Sequence, residues 1–180
     1  MPELTLADVD ALAARAHAGQ RDRIGVPYVE HVRAVAAGVA PFGTGVQMAA
    51  LLHDVLEDTP VTAGELLRAG VPAAVVATVT RVTRVPGVPY PEMLRQVAGD
   101  HSAALVKIAD NAHNSLASRA ALLPEADRVR LAVRYRDARA LLWPAVAAAD
   151  VRTVVGIVNP ALLAELDDPQ LDLPEPAPGP

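Results

Sequence analysis

The 180-residue chain contains no cysteine. Disulfides, thiolate nucleophiles and thiolate zinc sites are therefore excluded, and any bound metal must be held by nitrogen and oxygen ligands. Aromatic residues make up only 3% of a chain that is 52% hydrophobic, so the core has to be built mainly from Ala, Val and Leu. Such a core suits helices packed on helices. Lysine is nearly missing, Lys107 being the only one, a bias that codon usage in a GC-rich genome explains. The net charge is −5 and no basic block is present, which argues against a nucleic-acid partner bound through phosphate neutralisation. No apolar run reaches the roughly 18 residues of a membrane span. The N-terminus also lacks the basic and apolar segments of a signal peptide. A cytoplasmic protein without a membrane partner is expected.

What is present has helical punctuation throughout. Thr5-Leu6-Ala7-Asp8 resembles a capping box, and Leu6, Val9, Leu12, Ala13 and Ala16 recur at helical spacing, which predicts a helix over 5–18 stopped by Gly19. Pro27 opens a second helix through Ala36, and a third runs over 45–57 after the Pro41–Gly45 break. Thr62–Glu65 is a second capping box, whose short helix ends at Gly70. The 72–82 stretch has helical alternation, although its β-branched content also allows a strand. A Pro/Gly loop covers 84–91, a helix follows over 91–98, and Ser102 caps the helix that carries Asp110. Pro124 opens a long helix to about 140, Pro144 divides it, and Pro160 starts a last short one. The expected fold class is all-α. A single helical bundle would occupy 1–166, followed by a Pro/Asp-rich disordered tail over 167–180.

Within the third helix lies His53-Asp54-Val55-Leu56-Glu57-Asp58-Thr59. Residues three and four apart share a helix face, so one imidazole and three carboxylates crowd one helix end. Carboxylates this close repel unless protons, arginines or a metal neutralise them. A divalent cation is the most economical neutraliser; a solvated helix end is the plainer alternative. Asp110 supplies a second signal, because it follows the apolar Ile108-Ala109 and an uncompensated buried charge is costly. A lone histidine such as His31 is more often a core or surface group. Taken together, however, His31, His53, Asp54 and Asp110 offer two imidazoles and two carboxylates, a set suited to Mn²⁺, Fe²⁺ or Zn²⁺. Glu57, Asp58 and Asn114 remain to activate and position a water. His113 lies about 60° around a helix from Asp110 and stays outside the ligand set, while His17 and His101 read as structural or surface groups.

HDVLEDT at 53–59, KIADNAHN at 107–114 and AHAGQRDRIGVPYVEH at 16–31 resemble the HD phosphohydrolase superfamily, an all-helical fold. More narrowly they are similar to the hydrolase domain of Rel/SpoT-type alarmone enzymes and to the free-standing small alarmone hydrolases, the animal Mesh-type enzymes included. The resemblance covers about residues 5–140. It implies that His31, His53, Asp54 and Asp110 bind one Mn²⁺ ion, that Glu57 and Asp58 activate and orient water, and that Asn114 lies near the metal and the sugar. Arg21, Arg23 and Lys107 would contact a small-molecule guanine nucleotide. The implied reaction hydrolyses the 3′-pyrophosphate of ppGpp or pppGpp to GDP or GTP plus pyrophosphate. Asp22 stands where the family's loop usually carries arginine, and prolines occupy the 84–90 loop. Room for a synthetase domain is lacking, so alarmone synthesis is not expected. Two alternatives remain: an HD phosphohydrolase acting on another nucleotide, such as a nucleoside monophosphate or NADPH, and a non-catalytic nucleotide-binding module. Apolar surface on the late helices is compatible with a homo-oligomer.

Overall fold

A computed structural model describes residues 4–167, and the all-α expectation holds over that span. The helices are α1 (Leu6–Ala16), α2 (Tyr28–Gly38), α3 (Thr44–Leu52), α4 (Val55–Asp58), α5 (Ala63–Arg68) and α6 (Ala73–Val82), then α7 (Tyr90–Ala98), α8 (His101–Asn114), α9 (Ala117–Ala120), α10 (Glu125–Leu142), α11 (Ala148–Val158) and α12 (Leu163–Leu166). The only strand-like pairing among the described residues is an isolated antiparallel bridge between Arg21 and Pro27. None of these helices is long and apolar enough to cross a membrane. Of the tail expected over 167–180, all but Asp167 lies outside the described residues.

Local sequence explains most boundaries. Both capping boxes form, with Thr5 and Asp8 exchanging hydrogen bonds at the start of α1 and Thr62 and Glu65 at the start of α5. Gly70, at φ +94°, ends α5: its N–H reaches Leu67 O and the Val71 N–H reaches Leu66 O, both at 3.0 Å. Those two bonds satisfy carbonyls that the helix end leaves open. In the 72–82 stretch helix prevails over strand, because Val75, Val76, Val79 and Val82 fall on one buried face.

Two boundaries differ from expectation. The helix expected over 45–57 is two helices, with His53 and Asp54 in the turn between them. The His53 Nδ1–H donates to Ala50 O at 2.7 Å, taking the carbonyl that a continuous helix would offer to the Asp54 amide. The Asp54 carbonyl then starts a new ladder, accepting from the Glu57 and Asp58 amides at 3.2 and 2.8 Å. The second difference is at α8, which is capped by Asp100 rather than Ser102. The Asp100 carboxylate accepts the Ala103 amide at 2.9 Å, and Ser102 lies inside the first turn.

Helix α8 is the axis of the bundle, touching α2, α3, α6, α7, α10 and α11. Every residue from Ala103 to Ala112 is buried, Lys107 and Asp110 among them. Small side chains let the neighbours come this close. At Gly38 a Cβ would run into Val158 Cγ2 and press on Ala109 Cβ, so α2, α8 and α11 meet where no side chain fits. A buried polar network closes the far side. Arg139 forms a two-pronged ion pair with Glu165, at 2.9 and 2.7 Å, and donates to Asn111 Oδ1 and Ser115 Oγ at 3.3 and 3.2 Å. Asn159 donates to Ala112 O at 3.0 Å, so α11 and α12 are both fastened to α8.

Candidate functional site

Three pieces of backbone converge on one buried point: the first turn of α2 brings His31, the α3–α4 turn brings His53 and Asp54, and α8 brings Asp110. His31 Nε2 lies 3.3 Å from Asp110 Oδ1 and 3.6 Å from Asp54 Oδ2. His53 Nε2 lies 3.0 Å from Asp54 Oδ2 and 3.9 Å from Asp110 Oδ1. His31, His53 and Asp54 alone bring three ligand atoms within 4.8 Å of one another. Because the His53 Nδ1–H is donated to Ala50 O, a neutral His53 ring carries its lone pair on Nε2. That atom is fully buried, makes no well-directed hydrogen bond, and faces carboxylate oxygens. Lone pairs facing lone pairs are stable only around a proton or a cation, so the donor set fits a divalent metal ion.

The electrostatics describe the same conflict. Burial would raise both carboxyls, yet they are held well below the usual carboxylate range, Asp54 by the His53 and His31 imidazoles and Asp110 by the Lys107 ammonium and those rings. Burial would lower His31, but hydrogen bonds with Asp110 and Asp54 push it up to about 9. His113 moves the other way, down to about 4, through burial and the nearby charges of His31 and Arg119. Further bonds hold each carboxylate in place: Tyr28 Oη donates to Asp54 Oδ2 at 2.6 Å, Asn114 Nδ2 to Asp110 Oδ1 at 2.5 Å, and Lys107 Nζ lies 2.8 Å from Asp110 Oδ2. Lys107 is thus a buried counter-charge to Asp110 on the cavity wall.

Nine of the ten residues singled out from the sequence line one cavity of about 320 Å³; His53 stands behind Asp54. Glu57 and Asp58 are exposed at its edge, and Glu57 Oε2 also accepts the Arg84 amide at 3.1 Å, tying the 83–89 loop to α4. Arg21 turns its guanidinium to Gly25 O at 2.5 Å and so closes its own loop. Arg23 has no carboxylate within ion-pair distance among the described residues. Asp22 turns inward: Oδ1 accepts the Ile24 and Val26 amides at 3.0 and 2.9 Å, and Oδ2 lies 2.8 Å from Arg119 Nη1. The Asp22 carboxylate is therefore neutralised by an arginine from α9.

Several lining residues escaped the sequence reasoning. Arg84, Tyr90, Arg134 and Tyr135 also line the cavity, with the Arg134 guanidinium 4.1 Å and that of Arg84 5.7 Å from the centre of the Tyr90 ring. The available signal was Arg134 interrupting the inward Leu131–Ala138 face of α10. A larger groove of about 480 Å³ between α6 and α7 is mainly apolar and holds none of the cluster.

Comparison with known proteins agrees with this geometry. The guanosine-3′,5′-bis(diphosphate) 3′-pyrophosphohydrolase of Haemophilus influenzae is 34% identical over 116 residues, which cover 57% of this chain and 17% of that protein. The bifunctional (p)ppGpp synthase/hydrolase SpoT of Escherichia coli K12 is 33% identical over 115 residues, 57% of this chain and 16% of that one. A probable GTP pyrophosphokinase of Mycobacterium leprae is 34% identical over 113 residues, 57% and 14% respectively. The chain thus spans less than a fifth of the length of these relatives. Among solved structures, a metazoan ortholog of SpoT that hydrolyses ppGpp shares the fold, with a TM-score of 0.67 over 92% of this chain and 97% of that one at 23% identity. Residues 10–142 match the HD domain, a span that contains every member of the buried cluster. By that match and by its helical bundle, the chain belongs to the HD-domain family.

Proposed function

We propose that this chain hydrolyses the 3′-pyrophosphate of guanosine alarmones, converting ppGpp or pppGpp to GDP or GTP and pyrophosphate. His31, His53, Asp54 and Asp110 would hold one Mn²⁺ ion. The carrying observation is the buried convergence of two imidazole Nε2 atoms on two carboxylate oxygens beneath a cavity with a cationic, aromatic wall. The substrate is the one named for the Haemophilus influenzae relative and the SpoT ortholog.

When bound, the ion lowers the pKa of a water and polarises phosphoryl oxygens. The chain's own groups do the rest. Glu57 and Asp58, exposed to the cavity, take a proton from the attacking water as its oxygen bonds to the phosphorus next to the ribose. The bond from that phosphorus to the 3′ oxygen breaks, and the proton returns to the leaving oxygen, so the carboxylates end as they began. Asn114 donates its amide N–H to Asp110 and keeps its carbonyl for a sugar hydroxyl. Arg23, Arg84 and Arg134 offer positive charge to phosphates at the other end of the nucleotide, and Tyr90 and Tyr135 offer aromatic surface.

The test is pyrophosphate release from ppGpp with and without Mn²⁺. Release by the parent, and its loss in His53→Ala and Asp54→Asn, is the expected outcome. Orthophosphate from a nucleotide panel with ppGpp untouched would make the chain a phosphohydrolase of another nucleotide. Tight ppGpp binding without turnover under any divalent metal would make it a non-catalytic module.

A further inference from the structure

A ligating imidazole needs its second nitrogen protonated and bonded, so that the first presents a bare lone pair to the ion. His53 meets this through Ala50 O. His31 has no carbonyl at that position. Its Nδ1 lies 2.8 Å from the Nδ1 of half-buried His113, with ring centres 4.9 Å apart and planes tilted by 47°. Tyr28 and His53 pack edge-on against the His31 ring, and only His113 meets its Nδ1 edge by hydrogen bonding.

Two imidazole nitrogens at 2.8 Å share one proton, and once His31 is neutral, as ion binding requires, the two ways of placing it have opposite consequences. If His113 donates, the neutral His31 ring carries its proton on Nε2 and cannot bind an ion there. If His31 donates, Nε2 is bare and faces Asp54 and Asp110, the arrangement a cation requires. We propose that His113 is a positioning residue for His31, accepting the His31 Nδ1–H on its own Nδ1 and so holding His31 in the ligating tautomer. Helix α8 then supplies both a metal ligand, Asp110, and the group that orients a ligand on α2. This role rests on the metal reading above, and it explains why a histidine rotated away from Asp110 belongs to the site. Its partner comes from another helix.

Isothermal titration of the metal-stripped full chain with Mn²⁺, alongside thermal melting, tests the role. His113→Leu, similar in bulk but without an acceptor, should weaken Mn²⁺ binding by about ten- to a hundredfold, the usual effect of losing a partner behind a ligand. His113→Asn, whose Oδ1 can stand where Nδ1 stands, should recover most of the affinity. Saturating Mn²⁺ should restore kcat in His113→Leu, which separates loss of ion affinity from damage to the chemistry. Binding by His113→Leu as tight as the parent's overturns the proposal. Equally weak binding by both variants, with melting temperatures like the parent's, overturns it as well. Should His113→Leu fail to fold, His113→Asn against the parent decides, retained affinity supporting the role and lost affinity ending it. A parent that binds no Mn²⁺ would instead remove the metal reading itself.

Discussion

His31 carries the sharpest conflict in the molecule. Facing two carboxylates, the ring of the metal-free protein keeps its proton to about pH 9. An ion bound at Nε2 must displace that proton. Mn²⁺ affinity is therefore expected to rise about tenfold per pH unit up to roughly pH 9 and then level off, with close to one proton released per ion at neutral pH. Calorimetry in buffers of different ionisation enthalpy measures the release, and a flat profile between pH 6.5 and 9 would show that no proton on His31 competes with the ion. Stability follows the same group. The folded pKa is raised above 6.5, so its stabilising contribution is fully present below 6.5 and is lost as pH rises through 9. The metal-free protein should lose stability across that window, and the Mn²⁺-loaded protein should not.

At the scale of the element, what the sequence shows and hides has a physical basis. Caps and glycine stops are local chemistry, so α1 and α5 were legible from Thr5, Asp8, Thr62, Glu65 and Gly70. The break between α3 and α4 was not, because it comes from the His53 ring taking a backbone carbonyl, and helical spacing holds on both sides of it. The convergence of the candidate ligands could be anticipated because those residues sit in short motifs. Arg84, Arg134 and Tyr90 meet only through the packing of α7 and α10, which no periodicity reveals. Gly38 is a similar case. Gly38→Ala should destabilise the fold by about 1–3 kcal/mol, since the methyl must displace Val158 and Ala109. Gly45→Ala, with open space around its Cβ, should be neutral or mildly stabilising. Urea denaturation of the two variants makes the comparison.

For the whole molecule, the network around Arg139 decides how the C-terminal helices are attached. Arg139→Met would leave Asn111, Ser115 and Glu165 without their shared donor. The expected loss is about 2–3 kcal/mol, less than for a fully buried pair because Glu165 is partly exposed. Below the new melting temperature, pyrophosphate release should be unchanged, since none of these side chains faces the cluster. A variant as stable as the parent would show that α12 adds little to the bundle.

The candidate ligands also have a topological consequence. His31, His53, Asp54 and Asp110 span about eighty residues of chain, so one ion would join segments that are remote along the sequence. In the unfolded chain such a knot has no preformed site, and the free energy of holding the ion counts almost wholly toward the folded form. A cell short of the metal would then lose the protein as well as its activity, because the empty form opens more often and is the one that proteases degrade.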